Sequence, residues 1–181
     1  MRLRIFIATA ALVLCASIAQ AQKLVIDADK TANFTAFKTY GWAGGQIAPN
    51  PGTGQMLVNA IERELNSRGM MKNDADPDIR IAVMAAAGMD LQGVGPSWNR
   101  ELYKSWGGYG NPAALMTVNT GTLLIDLVET KNKFSIWRGV AKDIFISPPT
   151  GNPTKDAQTM EKLVNKTVTK MFKKYPVKPG K

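Results

Sequence analysis

The 181-residue chain contains no histidine and a single cysteine, Cys15. Histidine is the usual general base near neutral pH, the usual activator of a serine or cysteine nucleophile and the commonest metal ligand. Its absence excludes serine–histidine and cysteine–histidine hydrolases and histidine-ligated zinc sites. A lone cysteine closes no intrachain disulfide, so the fold has to rest on its core. Long apolar runs are also scarce. The mostly apolar interval Ile5–Ala19 ends at Gln20 after 15 residues, short of the roughly 20 that a spanning helix needs. Any catalyst here would have to use carboxylates, lysine or tyrosine.

What stands at the start is a three-part pattern. Arg2 and Arg4 precede the apolar run, and Ala19-Gln20-Ala21 supplies small residues at the two positions a signal peptidase reads. This predicts a secretory signal peptide over 1–21, cleaved between Ala21 and Gln22. Lipidation of Cys15 is disfavoured, because Leu14 is not the small residue a lipoprotein peptidase requires. The expected product, 22–181, is 160 residues long and cysteine-free. That length suits one domain, here 22–176, followed by a basic tail at 177–181. The expected location is the periplasm or the periphery of the outer membrane.

Charge is unevenly placed. The chain carries +9, of which Arg2 and Arg4 supply two. Residues 22–154 are nearly neutral, whereas 155–181 hold eight lysines against Asp156 and Glu161. Ala157, Met160, Val164, Val168, Met171 and Tyr175 recur at helical spacing and predict an amphipathic helix, with Thr154 as N-cap and Pro176 beyond its end. It is expected to bury Met160, Val164, Val168 and Met171. On its other side Lys155, Lys162, Lys166, Lys170 and Lys173 fall within an arc of roughly 80°. Lysines four apart repel one another. The row reads either as a solvated outer face or, more sharply, as a contact for an anionic lipid, a polysaccharide or an acidic envelope protein, and the second is the function expected here. Nucleic acid is an unsuitable partner for an exported chain.

The remaining pattern predicts strands at 24–27, 37–43, 79–87, 121–130 and 134–146, and a helix over 53–68 closed by Gly69. The fold class is α+β: an antiparallel sheet of four to six strands with two helices packed on one face. Lys131-Asn132-Lys133 reads as a hairpin turn with Asn132 at positive φ. That register sets Thr130 opposite Phe134 and Asp126 opposite Arg138, an ion pair expected at the surface and of little energetic weight.

Other candidate sites are weak. Asp74, Asp76 and Asp78 alternate like the start of a calcium loop, but Ile79 and Ala85 stand where the glycine and bidentate glutamate should be. Gly95-Pro96-Ser97-Trp98-Asn99 lacks the last glycine of a nucleophile elbow and any histidine to activate Ser97. The glycines at 107, 108 and 110 precede no Lys-Ser/Thr. Asp27 and Asp29 have no second carboxylate placed opposite them, as a glycosidase would need. No catalytic residue, metal site or cofactor is therefore expected. The Gly/aromatic segment 88–112 offers Trp98, Trp106 and Tyr109 for stacking on a sugar or small ligand, an alternative to the surface contact. A carboxylate-based hydrolase is a third class.

Several segments in order carry a resemblance: Phe37-Lys38-Thr39-Tyr40-Gly41-Trp42; a helix ending at Arg68-Gly69; Asp76-Pro77-Asp78-Ile79-Arg80-Ile81; the Gly/Tyr/Trp-rich insert; Gly121-Thr122-Leu123-Leu124-Ile125-Asp126-Leu127; Ile136-Trp137-Arg138-Gly139; and a closing helix into Tyr175-Pro176. Over about 24–176 the chain resembles the bacterial envelope family called domain of unknown function 4136. The resemblance implies an α+β fold and a secreted or outer-membrane-associated protein. It implies no enzymatic activity and no catalytic residues. Many members look like lipoproteins, a feature this chain departs from at Cys15.

Overall fold

The structure is a computed structural model and describes residues 23–44, 47–48, 50–86, 121–144, 146–147 and 149–180. The expected cleavage at Ala21–Gln22 and the segment with Trp98, Trp106 and Tyr109 lie outside these residues. The elements run β1 (Lys23–Ala28), β2 (Thr39–Trp42), α1 (Pro51–Asn66), β3 (Met71–Lys72), β4 (Ile79–Ala86), β5 (Gly121–Glu129), β6 (Ser135–Ile144) and α2 (Pro153–Phe172). The six strands form one sheet in the order β1-β6-β5-β4-β2-β3.

The class is α+β, and both helices pack on one sheet face. That face carries Ile79, Ile81, Leu123, Ile125, Leu127 and Trp137, which meet Leu57, Ile61 and Leu65 of α1 and Val168 and Met171 of α2. Gly139 on β6 is the close-approach point. A Cβ there would lie 2.6 Å from Met171 Cε and 2.8 Å from Trp137 Cη2.

The sheet is mostly antiparallel, with one departure from the expected uniform pattern. β1–β6, β6–β5 and β5–β4 are antiparallel, but β2 runs parallel to both neighbours, β3 and β4. The cause is the crossover through α1, which returns the chain beside β2 in the same direction, as a helix between two strands does. The two-residue β3 carried too little pattern to be read from the sequence. The chain must then cross β2 to begin β4 on its other side, and the Asn73–Asp78 turn makes that crossing. It passes over Gly41, where a Cβ would come within 2.9 Å of Pro77 Cγ and 3.0 Å of the Asn73 carbonyl oxygen.

The β5–β6 hairpin sets Asp126 opposite Arg138 and Leu127 opposite Trp137, but Val128 opposite Ser135. Ile136 is thus an extra residue, a β-bulge. It moves the hairpin end by one position, so Glu129, not Thr130, meets Phe134 through a 2.8 Å backbone hydrogen bond. The bulge also lets Ile136 and Trp137, adjacent in sequence, both enter the core. The left-handed residue of the turn is Lys133 (φ 61°) rather than Asn132.

Each helix begins with the same local device. Asn50 accepts from the Thr53 N–H ahead of Pro51, and Asn152 accepts from the Lys155 N–H ahead of Pro153. Thr154, expected as the cap, is inside α2. Asn152 takes its place because Pro153 fits the first helical position, where its missing N–H costs nothing. Gly69 has φ +80° just past α1. Val164, Val168, Met171 and Phe172 of α2 are buried, and Met160 is half-buried. Trp137, Phe172, Tyr175 and Phe34 form an aromatic cluster with ring centroids 5.1–5.9 Å apart.

The helices run parallel and are tied together toward their C-terminal ends. Arg63 Nη2 donates to Asn165 Oδ1 (3.0 Å) and Thr169 Oγ1 to Glu64 Oε1 (2.6 Å). The buried Arg68 guanidinium pairs with Glu64 (2.8 Å) and donates to the carbonyl oxygens of Phe172 (2.9 Å) and Val177 (3.0 Å). It also lies 5.4 Å from the Phe172 ring centroid. Residues 177–180 fold back here, with the Gly180 N–H on the Ser67 oxygen.

Arg68→Ala should destabilise the protein by about 2–4 kcal/mol, because it leaves a nearly buried carboxylate, the carbonyl at the end of α2 and the Val177 carbonyl beyond it without their donor. Urea unfolding measures this. A loss under about 0.5 kcal/mol would show that the clamp is dispensable.

Candidate functional site: a lysine face beside an apolar cavity

Lys155, Lys162, Lys166, Lys170 and Lys173 are all solvent-exposed along α2, opposite the side that packs on the sheet. None of the five forms a salt bridge among the described residues. Of the acidic residues on α2 itself, Asp156 is held by Thr150, and Glu161 is exposed beside Lys162 but lies about 100° around the helix from it, outside the lysine arc. Glu64 holds Arg68, Glu62 holds Lys72 at 3.0 Å and accepts the Trp42 indole N–H at 2.9 Å. The row is therefore a band of uncompensated positive charge on a rigid helix, and its last members also suit the negative end of the helix dipole.

A cavity of about 290 Å³ opens between the N-terminal halves of the two helices and the adjoining end of the sheet. Leu57, Leu123, Ile144 and Val164 line its walls, with Asn50, Thr53 and Thr167 as polar groups. It continues into a wider groove of about 690 Å³ through the shared residues Asn50, Thr53, Ile146, Met160 and Leu163. The groove adds Ser147, Thr150, Asp156 and Thr159. Thr150 donates to Asp156 through its hydroxyl (2.7 Å) and backbone N–H (2.9 Å), which holds that carboxyl below its usual range. Leu163 lines both spaces and lies roughly 60° around the helix from Lys166, so the cavity mouth borders the lysine row.

Asp126 and Arg138 form their ion pair inside the protein, and Ser135 donates its hydroxyl to the same carboxylate. Their side chains are only 3% and 7% exposed, which corrects the expectation of a surface pair. The reason is that β5 is buried on both faces, including Leu124 and Val128 beside Asp126. Alternation along a strand identifies its two faces but does not say that one of them is wet. Burial pushes the Asp126 carboxyl up, while the guanidinium and hydroxyl pull it down. Asp27 is the β1 register partner of Arg138.

Asp29, Asp74 and Asp78 hold backbone. Asp29 lies past the end of β1 and accepts the N–H and hydroxyl of Thr31, which lowers its pKa. It does not join Asp27 as a pair. Asp78 accepts the N–H groups of Lys38 (2.8 Å) and Thr39 (2.9 Å), while Thr39 Oγ1 accepts the Asp78 N–H. Those backbone donors hold its carboxyl low. Asp74 accepts the Trp42 N–H at 3.2 Å. Asp74 and Asp78 thus fasten the turn that crosses β2, while Asp76 takes part through its backbone, bonded to the Asn73 side chain. Among the described residues no three His, Cys, Asp or Glu side chains gather as a metal site. Burial pushes the Tyr175 hydroxyl up to about 12, so it is neutral at physiological pH.

The model of the family described as Domain of unknown function (DUF4136) matches residues 24–177. The chain belongs to this family. No curated protein matches it. Among solved structures, a PDZ domain protein from Parabacteroides distasonis has a TM-score of 0.56 at 15% identity, over 87% of this chain and 36% of that one. The chain thus spans about a third of that protein's length. A DUF4136 family protein from Bacteroides thetaiotaomicron has a TM-score of 0.50 at 16% identity, over 82% of this chain and 95% of that one. At these identities the likeness is one of fold. The cavity of this DUF4136 domain had no sequence signal of its own. Its walls come from Leu57, Leu123, Ile144 and Val164, which only the fold brings together.

Asp126→Ala should cost about 3–5 kcal/mol, since it removes the carboxylate paired with the buried Arg138 guanidinium. The double variant Asp126→Leu/Arg138→Met should recover much of that loss. Denaturant unfolding of the full cycle measures the coupling, and strict additivity of the two sites would refute it.

Asp78→Ala should cost about 1 kcal/mol at pH 7. Asp78 titrates below its unfolded value of 3.8, so its contribution is fully present above that pH and is lost as pH falls through the lower folded value. The stability gap between wild type and variant should therefore narrow only below about pH 4. Chemical unfolding across pH 2.5–7 checks the window.

Proposed function

We propose that this DUF4136 domain is an exported, non-catalytic envelope protein whose α2 lysine face contacts an anionic surface. The observation that carries the reading is the row of five exposed lysines with no salt bridge among the described residues, on a helix fixed by Val168, Met171 and Phe172 on its other side. A mobile lysine tail would lose entropy on binding, whereas this row is presented already ordered. Export is supported by Arg2, Arg4 and the Ala19–Gln22 pattern. The non-catalytic part is supported by the absence of histidine and by the structural duties of Asp29, Asp74, Asp78 and Asp126. No described helix is long and apolar enough to cross a membrane, so contact through a surface is the mode this face suits.

Vesicle co-sedimentation tests the reading. The protein should bind phosphatidylglycerol vesicles and not phosphatidylcholine ones, with affinity falling steeply between 0.02 and 0.3 M salt as the Debye length shrinks past ~10 Å. Each lysine near such a surface contributes about 1 kcal/mol, so joint replacement of Lys162, Lys166 and Lys170 by Gln should weaken binding on the order of 100-fold. Equal binding by wild type and this variant would overturn the proposal. Intact-mass measurement of the exported chain should give a start at Gln22; a diacylated Cys15 would contradict the processing.

A further inference from the structure

We propose that the cavity between the helices takes one aliphatic chain, the acyl tail of an anionic lipid whose headgroup lies against Lys162 and Lys166. This rests on the lysine face as an anion contact and names the ligand class.

The cavity has the chemistry of a hydrocarbon site. Leu57, Leu123 and Val164 are at most 6% exposed, so they face the cavity rather than the surrounding water. No charged side chain lines it among the described residues, and a carboxylate or ammonium placed there would lose its hydration without a partner. An enclosed apolar cavity of about 150 Å³ stays dry and holds benzene; here the walls are mostly apolar, and the open side provides the entry for a chain. At about 290 Å³ this cavity is nearly twice that size, room for roughly eight to ten methylenes. Ile146, a large apolar residue 41% exposed, sits where the cavity opens and would be covered by a chain entering there.

The surroundings of the mouth fix the sign and the exit of the headgroup. The charged residue lining the outer groove is Asp156, held as a carboxylate by Thr150. An anionic head is repelled on that side. Around Leu163 the helix instead presents Lys162 and Lys166, both exposed. A phosphate leaving past Leu163 meets two cations within one helical turn, while its chain runs inward over Met160 and Val164.

Calorimetry on the exported chain tests this with straight-chain alkanols and alkyl phosphates of six to twelve carbons, all below their micelle-forming concentrations. Alkanol affinity should rise about fourfold per added methylene and level off near ten carbons, with a negative heat-capacity change. Alkyl phosphates should bind about tenfold tighter than the matching alkanols at low salt, and Lys162→Gln/Lys166→Gln should remove that difference alone. Ala85→Phe fills the cavity from β4 and should abolish the chain-length dependence. Thr53→Trp blocks the mouth from a half-buried position and repeats the test should the first variant fail to fold. Absence of saturable alkanol binding, indifference to chain length, or survival of both in the blocked variants would overturn the cavity assignment. That result with vesicle binding intact would leave the lysine reading standing, whereas alkanol binding without the phosphate preference would overturn the headgroup placement.

Discussion

Arg68 is the contact on which the arrangement of the helices depends. Its guanidinium lies among Glu64 of its own helix, the Phe172 carbonyl at the end of α2 and the Val177 carbonyl beyond it. A planar group with five donors can hold these acceptors at once, which a lysine ammonium in the same place could not do with the same geometry. The last turn of α2 thereby gains a donor for an otherwise orphaned carbonyl. With Arg63–Asn165 and Glu64–Thr169 above it, the clamp closes the two helices together at one end. At the other end Thr53, Leu57, Met160 and Val164 surround a space instead of filling it. The clamp and the cavity thus lie toward opposite ends of the helix pair.

A second constraint comes from the mixed sheet. Because α1 returns the chain parallel to β2, the next connection has to cross that strand, and it does so over Gly41. The crossing consumes acidic groups as backbone acceptors: Asp78 for Lys38 and Thr39, and Asp74 for Trp42. Asp126 is taken inside by Arg138, and Glu62 and Glu64 are bound to Lys72 and Arg68. The lysines of α2 have no such duties. The electrostatic asymmetry of the surface is thus partly a product of the fold, which buries Asp126, engages Asp74, Asp78, Glu62 and Glu64 in bonds, and leaves the lysines of one helix outside.

The strong elements were readable because they have strong periods. Val164, Val168 and Met171 recur at helical spacing, and 121–130 and 134–146 are long strands, so each appears within a residue or two of its place. Most of the failures share a cause: they depended on a partner distant in sequence. β3 is a strand only because β2 lies beside it, and Ile136 bulges because Trp137 must reach Phe172 and Tyr175. Asp126 looked like a surface residue because alternation cannot show that both faces of β5 are covered. Thr154 and Asn152 are equally good caps in composition, and the fixed φ of Pro153 decided between them.

Local chemistry by itself determined the absence of histidine chemistry, the two helices, the hairpin and the lysine row. These follow from residue identity and from spacings of two to four positions along the chain. Only the tertiary structure decided that β2 is parallel, that the Asp126–Arg138 pair is dry, and that Leu57, Leu123, Ile144 and Val164 enclose one space. Burial and enclosure are properties of surfaces brought together by packing, and no local period specifies what lies opposite a side chain.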